Sequence, residues 1–480
     1  MNPTLEAIFS EVPPKPDYNP VRDSIAASKD RPEVAATLKL FSSMPPSTSI
    51  LANPVRHQLR IEVANATLEL NIRSFTVRGR LFEEDIVSGS ADAVTVIFVG
   101  LFGRYPSQEE ARIFREHLLH SADLGVQRCS EQIRGFMKSF PHASPDIAMQ
   151  YWASIRKATR KVGQINASRP PAELLAEMID VHMENVAVAG LASALRANSP
   201  IATRRAEISD PFENLFSMLL RRNSNSDETR ILGQMGAIQV HHGSAGSNMV
   251  ARYFAALHTR SVSDFFTASQ MALDCGRHFG AISDMTDFVG ILEQTSESER
   301  DNVIHGRILQ GNLPTFGHPE IAAAGREDHL EMDPRAALYL APLFDAIDRG
   351  TVNVSSKVLK RVALLERIYQ IALVEGVQKS SGTGKLRLTP NTDFGAWLVQ
   401  EILGIEEPDR TLLSYAYRGF GWMMDTREQL QQPIIRPVIP PDPAIVAAHE
   451  ADNIVPEVIS SVHDRLAAGS AFTNQKALRR

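Results

Sequence analysis

Cysteine is almost absent: Cys129 and Cys275 are the only two in 480 residues. A disulfide framework is thereby excluded, a cysteine zinc site lacks its ligands, and a reducing compartment is the easier fit. No stretch supplies the roughly eighteen uninterrupted apolar residues of a membrane helix, and the run Ala93 to Leu101 is about half that length. The opening residues carry Glu6 and Glu11 and show neither a secretory apolar core nor an Arg-rich amphipathic start. A cytoplasmic protein with no membrane partner is expected. Positive charge is not concentrated either. Lys and Arg number 50 against 56 Asp and Glu, a net charge of -6, and they are spread out rather than interleaved with aromatics. That argues against a nucleic-acid partner. There is no HExxH, and His117 and His120, three apart on a helical run, find no third ligand nearby, so no metal is expected. The segment Ser380 to Lys385 superficially looks like a phosphate loop. It lacks the first glycine of that pattern and the hydroxyl residue after Lys385, and no strand precedes it, so it reads as a flexible turn.

What is present fits a soluble enzyme-sized chain. Apolar residues at 43% and charged ones at 22% are ordinary for a globular protein, and the length suffices for two or three domains. Residues 1–56 are rich in Pro and Ser, as in Pro13-Pro14-Lys15-Pro16 and Pro45-Pro46-Ser47. They predict an extended arm with one short helix near Glu33 to Phe41. Alternation in Leu59 to Val63 and Leu68 to Ile72 has a strand period, within His57 to Thr76. Helical spacing then takes over: Asp85 to Leu101, Ser107 to Leu119, and further runs at 174–195, 215–220, 228–240, 249–257 and 264–274. It continues over 284–308 with a polar break at Thr295 to Ser298, over 355–377, and from Phe394. Ser107 with Glu109 and Glu110 behind it marks a helix start. No tandem repeat appears, and no convincing strand after residue 76. The fold class is mainly α with a small N-terminal β element.

Several short pieces carry candidate chemistry. His278 stands in Cys275-Gly276-Arg277-His278-Phe279-Gly280, where the two glycines let backbone approach a ligand. Phe316-Gly317-His318 is followed by Asp333-Pro334-Arg335, and Pro390-Asn391-Thr392-Asp393 opens a helix. Tyr417-Arg418-Gly419-Phe420-Gly421-Trp422 and Ile434-Ile435-Arg436-Pro437 add two arginines, and His241-His242 precede a Gly/Ser turn ending at Asn248. Each has a bland reading. Asp393 suits an N-cap contributing about 1 kcal/mol, the paired histidines suit a helix C-terminus, and Arg335 suits a surface ion pair.

Taken in order, these pieces resemble the citrate synthase family over roughly residues 68–437, with a looser match at Gly103 to Glu110. The resemblance implies a two-domain helical homodimer with shared active sites. Residues 57–278 and 393–480 would form a large domain (the latter including the C-terminal tail) and 279–392 a small one, closing over a cleft. It implies condensation of acetyl-CoA or propionyl-CoA with a 2-oxo acid, oxaloacetate being the expected acceptor, with release of CoA. Such a transferase belongs to tricarboxylic acid cycle chemistry. Acyl-CoA is a co-substrate, and no cofactor is permanently bound. By resemblance Asp393 is the base, His278 hydrogen-bonds the thioester oxygen and His318 polarises the ketone. Arg335, Arg418, Arg436 and either His241 or His242 contact the oxo acid. This sequence departs from the pattern in three places. The Asp and Glu of the family's H-x-D-H-E-x-N-A-S run are missing, Arg335 follows His318 by seventeen residues rather than nine, and Ala322 replaces a basic residue. Arg326 is the substitute for CoA phosphates. The alternatives are a relative using another acyl chain or acceptor, such as a 2-methylcitrate synthase, and a non-condensing metabolite-binding protein of the same fold.

Overall fold

The computed structural model describes residues 2–11, 68–71, 74–77, 80–81, 92–160, 163–166, 168–199, 210–241, 246–274, 280–317, 333–375, 377–378, 385–386, 388 and 390–430. All of them belong to one compact unit, Met1–Pro20 with Ile61–Ile435; a second unit, Val21–Arg60 with Arg436–Arg480, lies outside the described residues. The same holds for the helix expected near Glu33 to Phe41 and the strand expected at Leu59 to Val63.

The first ten residues are not the extended arm that their proline-rich continuation predicts. Pro3–Ser10 is a helix (α1), with Asn2 capping it and Pro3 in the first turn, where a missing N–H is harmless. Leu5, Ile8 and Phe9, spaced three and one apart, form one apolar face and are buried in the core. Phe9 lies between Phe102 and Phe114, with ring centroids 6.2 Å from each.

Strands are short. Leu68–Asn71 (β1), Ser74–Val77 (β2) and Arg80–Leu81 (β3) pair antiparallel in sequence order, with Leu68 opposite Val77 and Thr76 opposite Leu81. β3 and a second pair, Val377–Gln378 (β4) with Lys385–Leu386 (β5), fall beyond residue 76, where no strand was expected. Two-residue strands are too short to display a period.

Helices make up nearly all the rest. Ala93–Phe102 (α2) is capped by Asp92, whose carboxylate accepts from Thr95 N at 2.8 Å. Its residues are buried on every side, so the apolar run is a core helix. Among the described residues no helix is long and apolar enough to cross a membrane. Gln108–Ser139 (α3) starts at Ser107 through a reciprocal capping box with Glu110, as the sequence predicts, but runs twenty residues beyond Leu119. Gly125, Cys129, Ile133 and Met137, four apart, carry its buried face onward. Pro145–Thr159 (α4) and Pro171–Arg196 (α5) follow. α5 is the central helix, buried almost all round and flanked by α1, α3, α4, Glu213–Leu220 (α6) and the last helix.

The remainder are Ser226–Gln239 (α7), Gly246–Ala256 (α8), Val262–Asp274 (α9), Gly280–Gln294 (α10) and Glu297–Leu309 (α11). Pro334–Asp348 (α12), Ser356–Glu375 (α13), Thr392–Leu403 (α14) and Arg410–Gln429 (α15) complete the set. The break expected at Thr295 is where α10 ends. α15 carries the fully buried Tyr417, Phe420 and Trp422 and packs against α2, α5, α7 and α8, while α12 lies along α14. These two packings build the candidate site.

Candidate active site

Three motifs remote in sequence meet at the start of α14. Phe316 bridges Pro390, Asn391 N donates to Thr315 O at 3.0 Å, and Asn391 Nδ2 donates to Gly317 O at 3.2 Å. From the other side Asp333 N donates to Pro390 O at 2.9 Å, and Thr392 Oγ1 donates to Asp333 Oδ2 at 3.2 Å. The Gly317 and Asp333-Pro334-Arg335 segments are thereby both fastened to Pro390-Asn391-Thr392-Asp393.

The cap of α14 belongs to Asn391, not to Asp393. Asn391 Oδ1 accepts from the backbone N–H of Asp393 at 2.9 Å and of Phe394 at 3.3 Å. Asp393 therefore sits inside the first turn, and its carboxylate is not needed as a cap. The residue is half-buried and its carboxyl is pushed up to about 7 by burial; Arg335 and Arg418 pull it down, and Asp333 adds to the rise. A carboxyl titrating near neutrality is suited to proton transfer.

Arg335 is buried and not on the surface. Its Nε and Nη2 grip Asp333 Oδ1 and Oδ2 at 3.1 and 2.8 Å, while Asp333 Oδ1 also caps α12 by accepting from Arg335 N at 2.9 Å. This two-point contact fixes the plane of the guanidinium.

Arg418 comes from α15, which approaches the end of α7 closely. A Cβ at Gly421 would stand 2.1 Å from Val240 O, so only glycine allows that approach. Arg418 Nε donates to Gln239 O at 2.9 Å and Nη1 to Asn248 Oδ1 at 3.2 Å. Burial pulls its pKa down to about 10, which leaves it charged at neutral pH.

His241 neither caps α7 nor stands isolated. It is buried, with Nε2 2.7 Å from Asp425 Oδ1, and Asp425 also accepts from Asn248 Nδ2 at 2.6 Å and from Arg252. Burial pushes the Asp425 carboxyl up, and Arg252, His241 and Asn248 more than offset it, holding it below its ordinary value. Asn248 thus joins Asp425 to Arg418.

His242, His278, His318, Arg326 and Arg436 lie outside the described residues. Of the residues singled out by sequence, Asp393, Arg335 and Arg418 are brought together, and His241 reaches Arg418 through Asp425 and Asn248. The sequence reading quoted Asp333 and Asn248 within its motifs but gave them no role, and it missed Arg252, Asp425 and Tyr339 as parts of the site. Two of these had a usable signal. Asp425 follows Arg418 by seven residues, two helical turns on one face, and Tyr339 follows Arg335 by four. Among the described residues, no group of three or more His, Cys, Asp or Glu is arranged to hold a metal ion.

Comparison with known proteins bears on the family and the fold. The family model described as "Citrate synthase, C-terminal domain" matches residues 68–438. Among solved structures the chain is similar to citrate synthase from Thermotoga maritima MSB8, at 16% identity and TM-score 0.58, over 77% of this chain and 90% of that one. It is similar to citrate synthase from Pyrobaculum aerophilum, at 16% identity and TM-score 0.59, over 77% and 87%. A third is the Thermoplasma acidophilum citrate synthase in ternary complex with carboxymethyl coenzyme A and oxaloacetate, at 18% identity and TM-score 0.58, over 78% and 92%. At such identities the likeness to these three is one of fold. The comparison with curated protein sequences gives no match.

Proposed function

The chain belongs to the citrate synthase family, and from that premise we propose that it condenses an acyl-CoA with a 2-oxo acid, most simply oxaloacetate, and releases CoA. The observation that carries this reading is the Asp393 carboxyl, raised to about 7 by burial, in the first turn of α14 beside two buried arginines. The α-carbon of a thioester is a weak acid, so its proton leaves only where the enolate charge is stabilised as it develops. In this proposal Asp393 takes that proton while His278 donates a hydrogen bond to the thioester oxygen. The enol carbon forms a bond to the ketone carbon while the ketone π electrons move onto oxygen, and His318, which polarises that ketone, passes it a proton that solvent then replaces. Arg335 and Arg418, already oriented by Asp333 and by Gln239 with Asn248, hold carboxylates together with Arg436 and one of His241 and His242. Arg326 serves the CoA phosphates. Water then cleaves the thioester and gives the free acid and CoA. Residues 279–392 act as the small domain that closes on 57–278 and 393–480, in a homodimer with shared sites.

Thiol release from a panel of acyl-CoAs, each with several 2-oxo acids, tests the proposal. Release that requires both partners supports it, and the preferred pair names the substrates. No release with any pair, alongside measurable oxo-acid binding, establishes the second reading, a non-condensing metabolite binder. That reading draws support from Asp333 and Asp425, which already engage Arg335 and His241.

A further inference from the structure

Tyr339 is completely buried on α12, one turn beyond Arg335. Its ring lies on the first turn of α14. A Cβ at Gly395, two residues after Asp393, would come within 3.0 Å of Tyr339 Cδ2, so glycine at 395 is what admits the ring. Packing of this kind needs only a ring, and phenylalanine would supply it. The hydroxyl is what packing leaves unexplained, for among the described residues Tyr339 Oη has no hydrogen-bond partner. The charged groups acting on it are Arg335, Asp333, Asp393 and Arg418, the groups that form the candidate site. Burial holds the phenol protonated at any physiological pH, so it enters the site as a donor. An uncharged donor beside two guanidiniums matches an anionic oxygen ligand, since a hydrogen bond to a carboxylate is stronger than one to a neutral acceptor.

We propose that Tyr339 is a further substrate-binding residue, whose hydroxyl donates a hydrogen bond to a carboxylate of the 2-oxo acid bound between Arg335 and Arg418. The proposal rests on the function proposed above as far as the identity of the ligand is concerned.

Tyr339→Phe keeps the ring and removes only the donor. Three measurements on the full-length protein decide the matter: calorimetric titration with oxaloacetate in the absence of acyl-CoA, kcat and KM for both substrates, and the melting temperature of the ligand-free protein. The expected result is a roughly tenfold rise in oxaloacetate Kd and KM, with acyl-CoA KM and the ligand-free melting temperature preserved. Equal oxaloacetate affinity in the two proteins overturns the proposal. So does a variant that fails to fold, or one that melts lower with affinity unchanged, because the hydroxyl is then structural. A shift of the acid limb of the rate profile with oxaloacetate affinity unchanged assigns the hydroxyl to Asp393 and overturns it as well. If the wild type binds oxaloacetate but releases no CoA, the condensation reading fails while the titration still decides for or against Tyr339. Absence of oxaloacetate binding to the wild type overturns it.

Discussion

Replacing Asp393 by asparagine is expected to abolish turnover and to stabilise the protein above neutral pH. The carboxyl ordinarily titrates at 3.8 and does so at about 7 in this fold. The folded chain therefore holds this proton more tightly than the unfolded chain, so the contribution to stability is full below 3.8 and is lost as pH rises through 7. The two values lie about three pH units apart, and at roughly 1.4 kcal/mol per unit the ionised carboxylate costs at most about 4 kcal/mol at pH 8. Partial exposure screens part of that, which brings the expectation to roughly 2 kcal/mol. Asparagine has nearly the same shape without the charge, so Asp393→Asn should exceed the wild type by that amount at pH 8. At an unfolding entropy of about 2.1 cal/mol/K per residue, the gain appears as a rise of roughly 2 °C in melting temperature. It should shrink to about a third by pH 5 and vanish below 3.8. Turnover should fall about 100- to 10,000-fold across the whole range, as loss of a general base requires. A variant equally favoured at pH 5 and pH 8, or less stable than wild type at pH 8, would refute the burial argument. Turnover near wild type would refute the assignment of the base.

Much of this fold is legible because long apolar periods cannot be mistaken. The runs that became α5, α10 and α11 reveal their extent in the sequence, and Ser107 with Glu110 reveals the start of α3. Legibility fails where a local signal is outvoted by its surroundings. Leu5, Ile8 and Phe9 make a helical face, but eight residues are few and the prolines from Pro13 onward dominate the composition. In the site, an aspartate before an apolar helix reads as a cap. Only the structure shows Asn391 taking that role two residues earlier, which leaves the Asp393 carboxyl uncommitted to the helix. The pairing of His241 with Asp425 joins residues 184 apart in sequence, and no spacing announces such a contact. Tyr339 looks like any core aromatic until its neighbours are known to be charged.

Asp425→Asn should cost about 3–5 kcal/mol in urea denaturation, because it leaves Arg252 buried against a neutral amide; a loss below 1 kcal/mol would dismiss the buried charge network. Phe9→Ala should cost about 3–5 kcal/mol through the cavity left between Phe102 and Phe114, and an unchanged urea midpoint would mean that α1 does not dock. The pH dependence of turnover tests the site as a whole. A base must be ionised, so kcat/KM, which reports the free enzyme, should rise with pH to a plateau with a midpoint near 7. Arg335 and Arg418 are the groups that pull the Asp393 carboxyl down. A bound oxo acid brings negative charge to both arginines and weakens that pull, which disfavours ionisation of Asp393. The acid limb of kcat, which reports the bound enzyme, should therefore lie at higher pH than that of kcat/KM. Coincident limbs, or a kcat limb at lower pH, would mean that the oxo acid does not bind against the two arginines that act on Asp393.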